Sequence, residues 1–366
     1  MADPPMRVVV LLGGESEERD VSLASGCQVA DALREAGHEV VALDPAEGAL
    51  TREDEAKILA EGVGILPPGL SGTDAESDHS GASDGAKLVD HTEIGPEGRG
   101  FALENISDAS ADVVFPALHG GMGEDGTLQA LLDLGGISYA GTGMLGSSLA
   151  MDKDITKRLL RDAGVPTPDW LVNPTAQEAV ERLGLPLIAK PVAGGSSLRL
   201  YLLDDAAQVE ERIELEAVRA SESGEASDMM CEAFIAGREF TVGILGEEAL
   251  PVGEIVSEHA LFDYECKYQV GMADEVFPAE ISDALAQTLQ ERALLVHRLL
   301  RLRDFCRVDF MVDGEDEAWC LEANTLPGMT ATSLLPKAAR AAGMTFPELC
   351  DRIVRLAAER ARRSSS

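Results

Sequence analysis

Three oxygen donors lie at the ends of two short apolar runs in the last fifth of the chain. Asp309 stands in FCRVDFMVD, and Glu322 and Asn324 stand in AWCLEAN, with a GED turn between the two runs. Glu322 and Asn324 are two residues apart and share one face of a strand. Folded as a hairpin, the segment brings Asp309 beside them. Two carboxylates and an amide oxygen suit Mg²⁺, a hard ion whose remaining positions are usually filled by phosphate oxygens and water. The competing reading is a solvated hairpin with incidental acids. Asn324 runs directly into TLPGMT, where a rigid Pro-Gly turn can hold further groups beside a metal.

A second group is built on lysine. Lys190 ends the apolar run LIAK and is followed by Pro191 and AGGSSLR; Lys153 lies upstream in AMDK. A Gly/Ser loop offers free backbone N–H groups to phosphate, and a neighbouring ammonium adds charge. The alternative is a tight hairpin with a surface lysine. The segment is not a P-loop, because G-x-x-x-x-G-K-[ST] occurs nowhere. Phosphate-facing lysines together with a carboxylate metal site point to a nucleotide.

These groups need a frame. RVVVLL, then GGESEERDVSLASGCQVADALREAG, then HEVVALDP predict strand, glycine turn, helix and strand, the start of a parallel α/β domain. G-x-G-x-x-G is absent, so a dinucleotide-binding oxidoreductase is excluded. PPGLSGTDAESDHSGASDG, within residues 67–100, reads as a loop insertion without chemistry. VVFPAL predicts a buried strand with the loop HGGMGEDG at its C-terminal end, where open α/β sheets place ligands. TLQALLDLGG and MDKDITKRLLRDAG predict helices, and LPLIAKPVAGGSSLRLYLL predicts strand, loop and strand. An acidic helix follows in AAQVEERIELEAVRA. MMCEAFIAGREFTVGILGEEALPVGEI alternates as antiparallel strands do, with a turn expected at Ala236-Gly237. ISDALAQTLQERALLVHRLLRL predicts an amphipathic helix, and the last 25 or so residues predict another.

Composition bounds the function. The 366 residues carry 65 acids against 30 bases, a net charge of −35, which excludes a basic nucleic-acid footprint. Only seven residues are lysine: Lys57, Lys87, Lys153, Lys157, Lys190, Lys267 and Lys337. No apolar stretch reaches the ~20 residues that span a bilayer, and the N-terminus lacks a signal-peptide pattern, so a cytoplasmic protein without membrane contact is expected. Six cysteines form no C-x-x-C and read as structural thiols in a reducing compartment.

Taken in order, GGESEERDVSL, ALHGGMGEDGTLQ, AMDK, LIAKPVAGGSS, CEAFIAGREFTV, DYECKY, CRVDF, LEANTLPGMTATSLLP and AARAAGMTF resemble the D-alanine–D-alanine ligases of the ATP-grasp superfamily. The resemblance runs from about Arg7 to Leu356 and is interrupted mainly around 67–100. It implies an α/β fold with an α+β C-terminal part and three domains. These are an N-terminal parallel-sheet domain over 1–141, a central ATP-grasp subdomain over 142–231 and a C-terminal one over 232–366. It implies ATP and D-alanine as substrates, two Mg²⁺ or Mn²⁺ ions and a homodimer. By the same resemblance, Glu18 holds the first substrate's ammonium, with Ser196 and Tyr268 hydrogen-bonded to it, and His119 lies beside that substrate. Lys153, Lys190 and Lys267 bind phosphate. Glu232, Ala233 and Ile235 meet adenine and Glu239 the ribose. Asp309, Glu322 and Asn324 bind metal, with Glu322 bridging. Arg307 and the N–H of Gly328 stabilise an oxyanion, and Ser333 and Leu334 hold the second substrate's carboxylate.

The chain departs from the family pattern in four places. Gly194 replaces an acid, Arg199 replaces a glycine, Cys306 stands where Gly is usual and Cys266 where Ala is usual. Arg199 either adds a phosphate contact or points to solvent. Relatives that use D-lactate carry Phe at the place of Tyr268, so its hydroxyl favours an amine acceptor over D-lactate or D-serine. A regulator that has lost catalysis is disfavoured, because Arg307, Asp309 and Glu322 are all present.

Overall fold

The computed structural model describes residues 4–16, 18–61, 110–195, 199–223, 228–257 and 273–364. The insertion around 67–100 lies outside them.

The chain opens as the apolar runs predict. Strand β1 (Arg7–Leu11), helix α1 (Arg19–Glu35) and β2 (Glu39–Asp44) are followed by β3 (Gly48–Ala49), α2 (Arg52–Glu61) and β4 (Val113–Pro116). β1 pairs in parallel with both β2 and β4, and β3 closes the edge antiparallel, in the order β3-β2-β1-β4. β4 is buried at every residue, as a strand covered on both faces must be. Helix α1 buries Val21, Ala24, Cys27, Val29, Ala30 and Leu33. It ends at a cap on Ala36 before Gly37, whose φ of 97° suits a residue without Cβ.

Helices α3 (Thr127–Leu134), α4 (Met144–Met151) and α5 (Lys153–Asp162) lead into a second sheet. It contains β5 (Trp170–Val172), β6 (Leu187–Pro191), β7 (Tyr201–Leu203) and β8 (Met229–Ala233), with α6 (Ala176–Leu183) and α7 (Ala206–Ser223) between them. Its order is β5-β8-β6-β7, all antiparallel. Helices α4 and α6 had no counterpart in the sequence reading.

A third, six-stranded sheet follows: β9 (Gly237–Leu245), β10 (Glu248–Ala249), β11 (Gly253–Ser257), β12 (Ala273–Val276), and, after helix α8 (Asp283–Leu299), β13 (Phe305–Asp313) and β14 (Ala318–Asn324). Helices α9 (Leu334–Ala341) and α10 (Phe346–Ser364) complete the chain. The strands run β12-β11-β9-β13-β14, with β10 on β9. The turn expected at Ala236-Gly237 is corrected here. β8 pairs with β5 and β6, whereas β9 pairs with β13, β11 and β10. The chain therefore crosses between sheets there instead of folding back. Alternation reports which faces of a strand are buried and is blind to the partner. Gly237 sits at the crossing, and a Cβ there would stand 2.0 Å from the carbonyl oxygen of Val312.

One core joins the first sheet to the last two helices. Val8, Val10, Leu33 and Phe115 pack in the same cluster as Leu335, Leu349, Ile353 and Phe305, and the Phe115 and Phe305 rings stack at 5.9 Å. A polar clasp closes the same junction. Asp304 accepts from the Gly141 N–H at 2.8 Å and from Arg360, while Arg360 also donates to the Tyr139 carbonyl at 2.6 Å. Asp304 adopts a φ of 63°, and its own carbonyl takes the Gly246 N–H. Replacing Asp304 with Ala strands Arg360 and the buried Gly141 amide. We expect it to destabilise the fold by roughly 3 kcal/mol in denaturant unfolding, with Asp304→Asn milder because it keeps an acceptor. Equal midpoints for wild type and Asp304→Ala would remove the clasp.

Candidate active site

The N-terminal wall is set by Asp44, which is fully buried at the end of β2. It accepts from the Gly14 N–H and from Arg19, and Arg19 donates to the Gly14 carbonyl at 2.6 Å. The loop after β1 is thereby fixed, and Glu18 stands at the N-cap position of α1, where its carbonyl takes the Ser22 N–H. Ser16 donates to the His119 carbonyl at 2.6 Å, and Ser22 accepts from the His119 N–H at 2.8 Å. The glycine loop after β4 is thus sewn to the start of α1. Gly120 has a φ of 73°, and a Cβ there would lie 2.7 Å from a carboxylate oxygen of Glu18; the same oxygen lies 3.4 Å from where a Cβ of Gly195 would be. Glu18, the HGG loop and the Gly/Ser loop after β6 therefore converge. His119 is buried, its Nδ1 is 3.9 Å from Glu124, and its Nε2 has no hydrogen-bond partner among the described residues.

The opposite wall is the β13–β14 hairpin. Arg307 stands across from Asn324 and Asp309 across from Glu322. The register shifts after Asp309, a bulge of the kind that re-aims side chains. Asp309 accepts both arms of Arg307, at 2.9 and 2.8 Å, Thr241 from β9 at 2.7 Å, and Asn324 Nδ2 at 2.9 Å. Burial works against the Arg307 charge, but Asp309, with Glu322 and Glu239 behind it, holds the guanidinium above its ordinary range. The donor set fits a hard divalent ion, since a half-turn of the Asn324 amide presents its oxygen and, by withdrawing Nδ2, frees a lone pair on Asp309. Among the described residues no group of three His, Cys, Asp or Glu is placed to hold a metal ion by itself. Protein donors alone would leave such an ion incomplete, which is how Mg²⁺ is usually bound beside phosphate.

Lysines link the walls. Lys153 begins α5, behind an N-cap in which Asp152 accepts from Ile155 N–H. Its ammonium donates to the Gly194 carbonyl at 2.7 Å and lies 3.8 Å from Glu322. Lys190, on β6, is 3.0 Å from Glu232 on β8. Burial alone would raise the Glu232 carboxyl, but Lys157 and then Lys190 hold it below the usual carboxylate range. Ala233 ends β8, Ile235 lies in the crossing to β9, and Glu239 is on β9 opposite Met311. Beyond the hairpin, a Cβ on Gly328 would come within 2.9 Å of Ser333 Oγ. Ser333 stands at the N-cap position of α9 without a side-chain cap, and its hydroxyl pairs with Thr330 at 2.8 Å. Leu334 is buried in the first turn. The Ala331 N–H donates to Gln28 of α1 at 2.8 Å, closing this loop onto the N-terminal wall.

Ser196, Lys267, Tyr268 and Cys266 lie outside the described residues. Among the departures, Arg199 has the φ of 63° that favours glycine and turns to Glu216 of α7 at 3.7 Å. Cys306 is buried with its sulfur 3.3 Å from His297 Nδ1. The sequence reading missed Lys157, Thr241 and Gln28; Lys157 lies one helical turn from Lys153, a spacing that places both on one face.

Two family models match, described as the D-ala D-ala ligase N-terminus over residues 7–142 and the D-ala D-ala ligase C-terminus over residues 159–355. The D-alanine–D-alanine ligase of Aquifex aeolicus is 38% identical over 351 residues, covering 95% of this chain and all of that protein. That of Desulfotalea psychrophila is 45% identical over 264 residues, covering 69% of this chain and 80% of that protein. The crystal structure of the Bacillus anthracis ligase complexed with ATP superposes with a TM-score of 0.69 at 28% identity, covering 98% of this chain and 99% of that one. The walls described above are therefore those of a known fold, and this chain belongs to the D-alanine–D-alanine ligase family of ATP-grasp enzymes.

Proposed function

We propose that the protein joins two D-alanine molecules into D-alanyl-D-alanine for peptidoglycan precursors, releasing ADP and phosphate. A carboxylate oxygen of the first D-alanine attacks the γ-phosphorus of ATP, and the bond to the β–γ bridging oxygen breaks. The resulting acyl phosphate is attacked at its carbonyl carbon by the neutral amine of the second D-alanine, and phosphate leaves.

The support is a convergence. Lys153 touches the phosphate-type loop at Gly194 and neighbours Glu322 on the hairpin, while Glu18 reaches the same loop at Gly195 from the other wall. In this reading Lys153, Lys190 and Lys267 bind phosphate, while Glu232, Ala233, Ile235 and Glu239 hold the nucleoside. Glu18 binds the first ammonium, with Ser196 and Tyr268 joined to it, and His119 lies alongside. Ser333 and Leu334 open α9, whose first N–H groups suit the second carboxylate. Arg307, already held by Asp309, and the N–H of Gly328 face the charge that develops on the transferring group and the tetrahedral oxygen. Mg²⁺ or Mn²⁺, held by Asp309, Glu322 and Asn324, would neutralise phosphate charge. We assign three domains divided near 142 and 232, a homodimer, and the cytoplasm, where the five buried unpaired cysteines among the described residues stay reduced. No helix among the described residues is long and apolar enough to cross a membrane.

Phosphate release with ATP and Mg²⁺ should depend on D-alanine and yield the dipeptide, with D-lactate and D-serine giving little mixed product. Exhaustive chelation should stop it, and Mg²⁺ or Mn²⁺ should restore it. Turnover with D-lactate equal to that with D-alanine would overturn the acceptor assignment.

Glu322→Gln should lower turnover by about two orders of magnitude or more, because it removes a metal-facing charge worth several kcal/mol in the transition state. Its unfolding midpoint should stay near wild type. Unchanged turnover would sink the metal assignment. Light scattering should give twice the chain mass at working concentration, and a monomer mass would remove the dimer.

A further inference from the structure

Lys157 is the one completely buried lysine among the described residues, and no step above uses it. It lies on α5 with 0% of its side chain exposed. Its ammonium is 2.6 Å from Glu232 Oε2 and donates to Thr167 Oγ1 at 2.7 Å, with the Trp170 ring centroid 5.2 Å away. The other oxygen of Glu232 is taken by Lys190 at 3.0 Å, and Lys190 keeps 11% of its side chain exposed. Two cations thus meet one buried carboxylate, one at each oxygen, and they are not equivalent. One is sealed in between Glu232 and Thr167. The other opens toward the site.

That asymmetry has a chemical use. A carboxylate carrying a permanent counter-ion stays ionised when its second cation leaves, and its vacated oxygen then accepts hydrogen bonds without donating any. We propose that Lys157 is a positioning residue that keeps Glu232 ionised and aimed, so that Lys190 can exchange from Glu232 to phosphate and leave Oε1 as an acceptor for the amino group of the base. The inference rests on the nucleotide site proposed above. In that site Glu232 meets adenine, and what the inference adds is the part of Lys157: with Oε1 held ionised, a purine bearing an exocyclic amine there is taken and one bearing a carbonyl is refused, because two acceptors would face each other in a buried place.

Without Lys157, Glu232 keeps Lys190 as its only counter-ion. Burial then strengthens that pair, and nucleotide must compete with Glu232 for Lys190. The loss therefore falls on nucleotide binding more than on the chemical step.

The experiment compares wild type, K157Q and the double variant K157M/E232Q, measuring ATP and ITP binding by calorimetry and steady-state turnover with each nucleotide. ITP carries a carbonyl where ATP carries the amine. For K157Q we expect ATP affinity to fall about ten-fold or more, with a parallel rise in KM and kcat within a few-fold of wild type. K157M/E232Q removes both buried charges and avoids leaving either unpaired. Its Gln amide both donates and accepts, so its preference for ATP over ITP should collapse to near equality. An ATP affinity in K157Q within two-fold of wild type, or wild-type discrimination in the double variant, overturns the proposal. If K157Q does not fold, K157M/E232Q is compared with E232Q alone: a residue acting only through Glu232 leaves their ATP affinities within about two-fold, and a further loss of about ten-fold overturns the proposal. Wild type serves as the separate control: absence of any D-alanine-dependent ATP turnover there would count against the ligase reading itself, whereas active wild type with unaffected variants counts against Lys157 only.

Discussion

The arrangement at the hairpin depends on Asp309 having all its hydrogen bonds made. A carboxylate 6% exposed in the middle of a sheet is costly unless charge and donors surround it. Here β9 supplies Thr241, β13 supplies Arg307 and β14 supplies Asn324, so three neighbouring strands are tied at one side chain. The pair also presents Arg307 in a fixed orientation, since a bidentate fork allows little rotation. A lysine in that place would balance the charge without fixing the direction.

Hydrogen bonds at the sheet junctions carry this precision outward. Asp304 joins the start of β13 to the Gly141 turn and to α10, and Gln28 joins α1 to the loop before α9. His38 does the same elsewhere: its Nδ1 accepts from the Met6 N–H and its Nε2 donates to Asp351 of α10. That pattern requires the neutral ring with its proton on Nε2. Each tie satisfies a buried polar group across a junction, so the walls of the site cannot slide without exposing an unpaired donor or acceptor. Apolar burial holds the sheets together, and these ties fix their register.

Elements with a strong local period were legible in the sequence. RVVVLL and VVFPAL became β1 and β4, and the Asp309, Glu322 and Asn324 hairpin formed as its spacing implied. The short helix Ala176–Leu183 was not, since eight residues give barely two turns of period. The crossing at Ala236-Gly237 was misread because strand pairing is decided by tertiary partners. Lys157 was passed over because a lysine in a mixed helix reads as a solvated residue until the structure shows Thr167 and Glu232 around it. The Glu18, Gly120 and Gly195 convergence joins residues far apart in the chain, Glu18 more than a hundred positions from either glycine, and only the family resemblance anticipated it.

The division of labour between the two basic residue types explains how so acidic a chain can hold an anionic substrate. Charges on a surface are screened over a Debye length of about 8–10 Å, so most of the net −35 acts weakly at the site. What decides there is the handful of groups within contact distance, where one pair is worth about 4 kcal/mol at an effective dielectric of 20. Arginine forks are used up against carboxylates in the framework: Arg19 on Asp44, Arg34 on Glu55, Arg238 on Glu254 and Arg360 on Asp304. Lysine, scarce in the sequence, gathers where the proposed function puts phosphate, with Lys153 near Glu322 and Lys157 and Lys190 sharing the single charge of Glu232. An ammonium can leave one partner for another without breaking a planar fork, which a guanidinium locked bidentate cannot do. Fixed structure therefore falls mainly to arginine, and the exchangeable charge is Lys190, with Lys157 sealed in behind it. Arg307 stands on the arginine side of that line even inside the site, held by Asp309 where its direction matters more than its freedom.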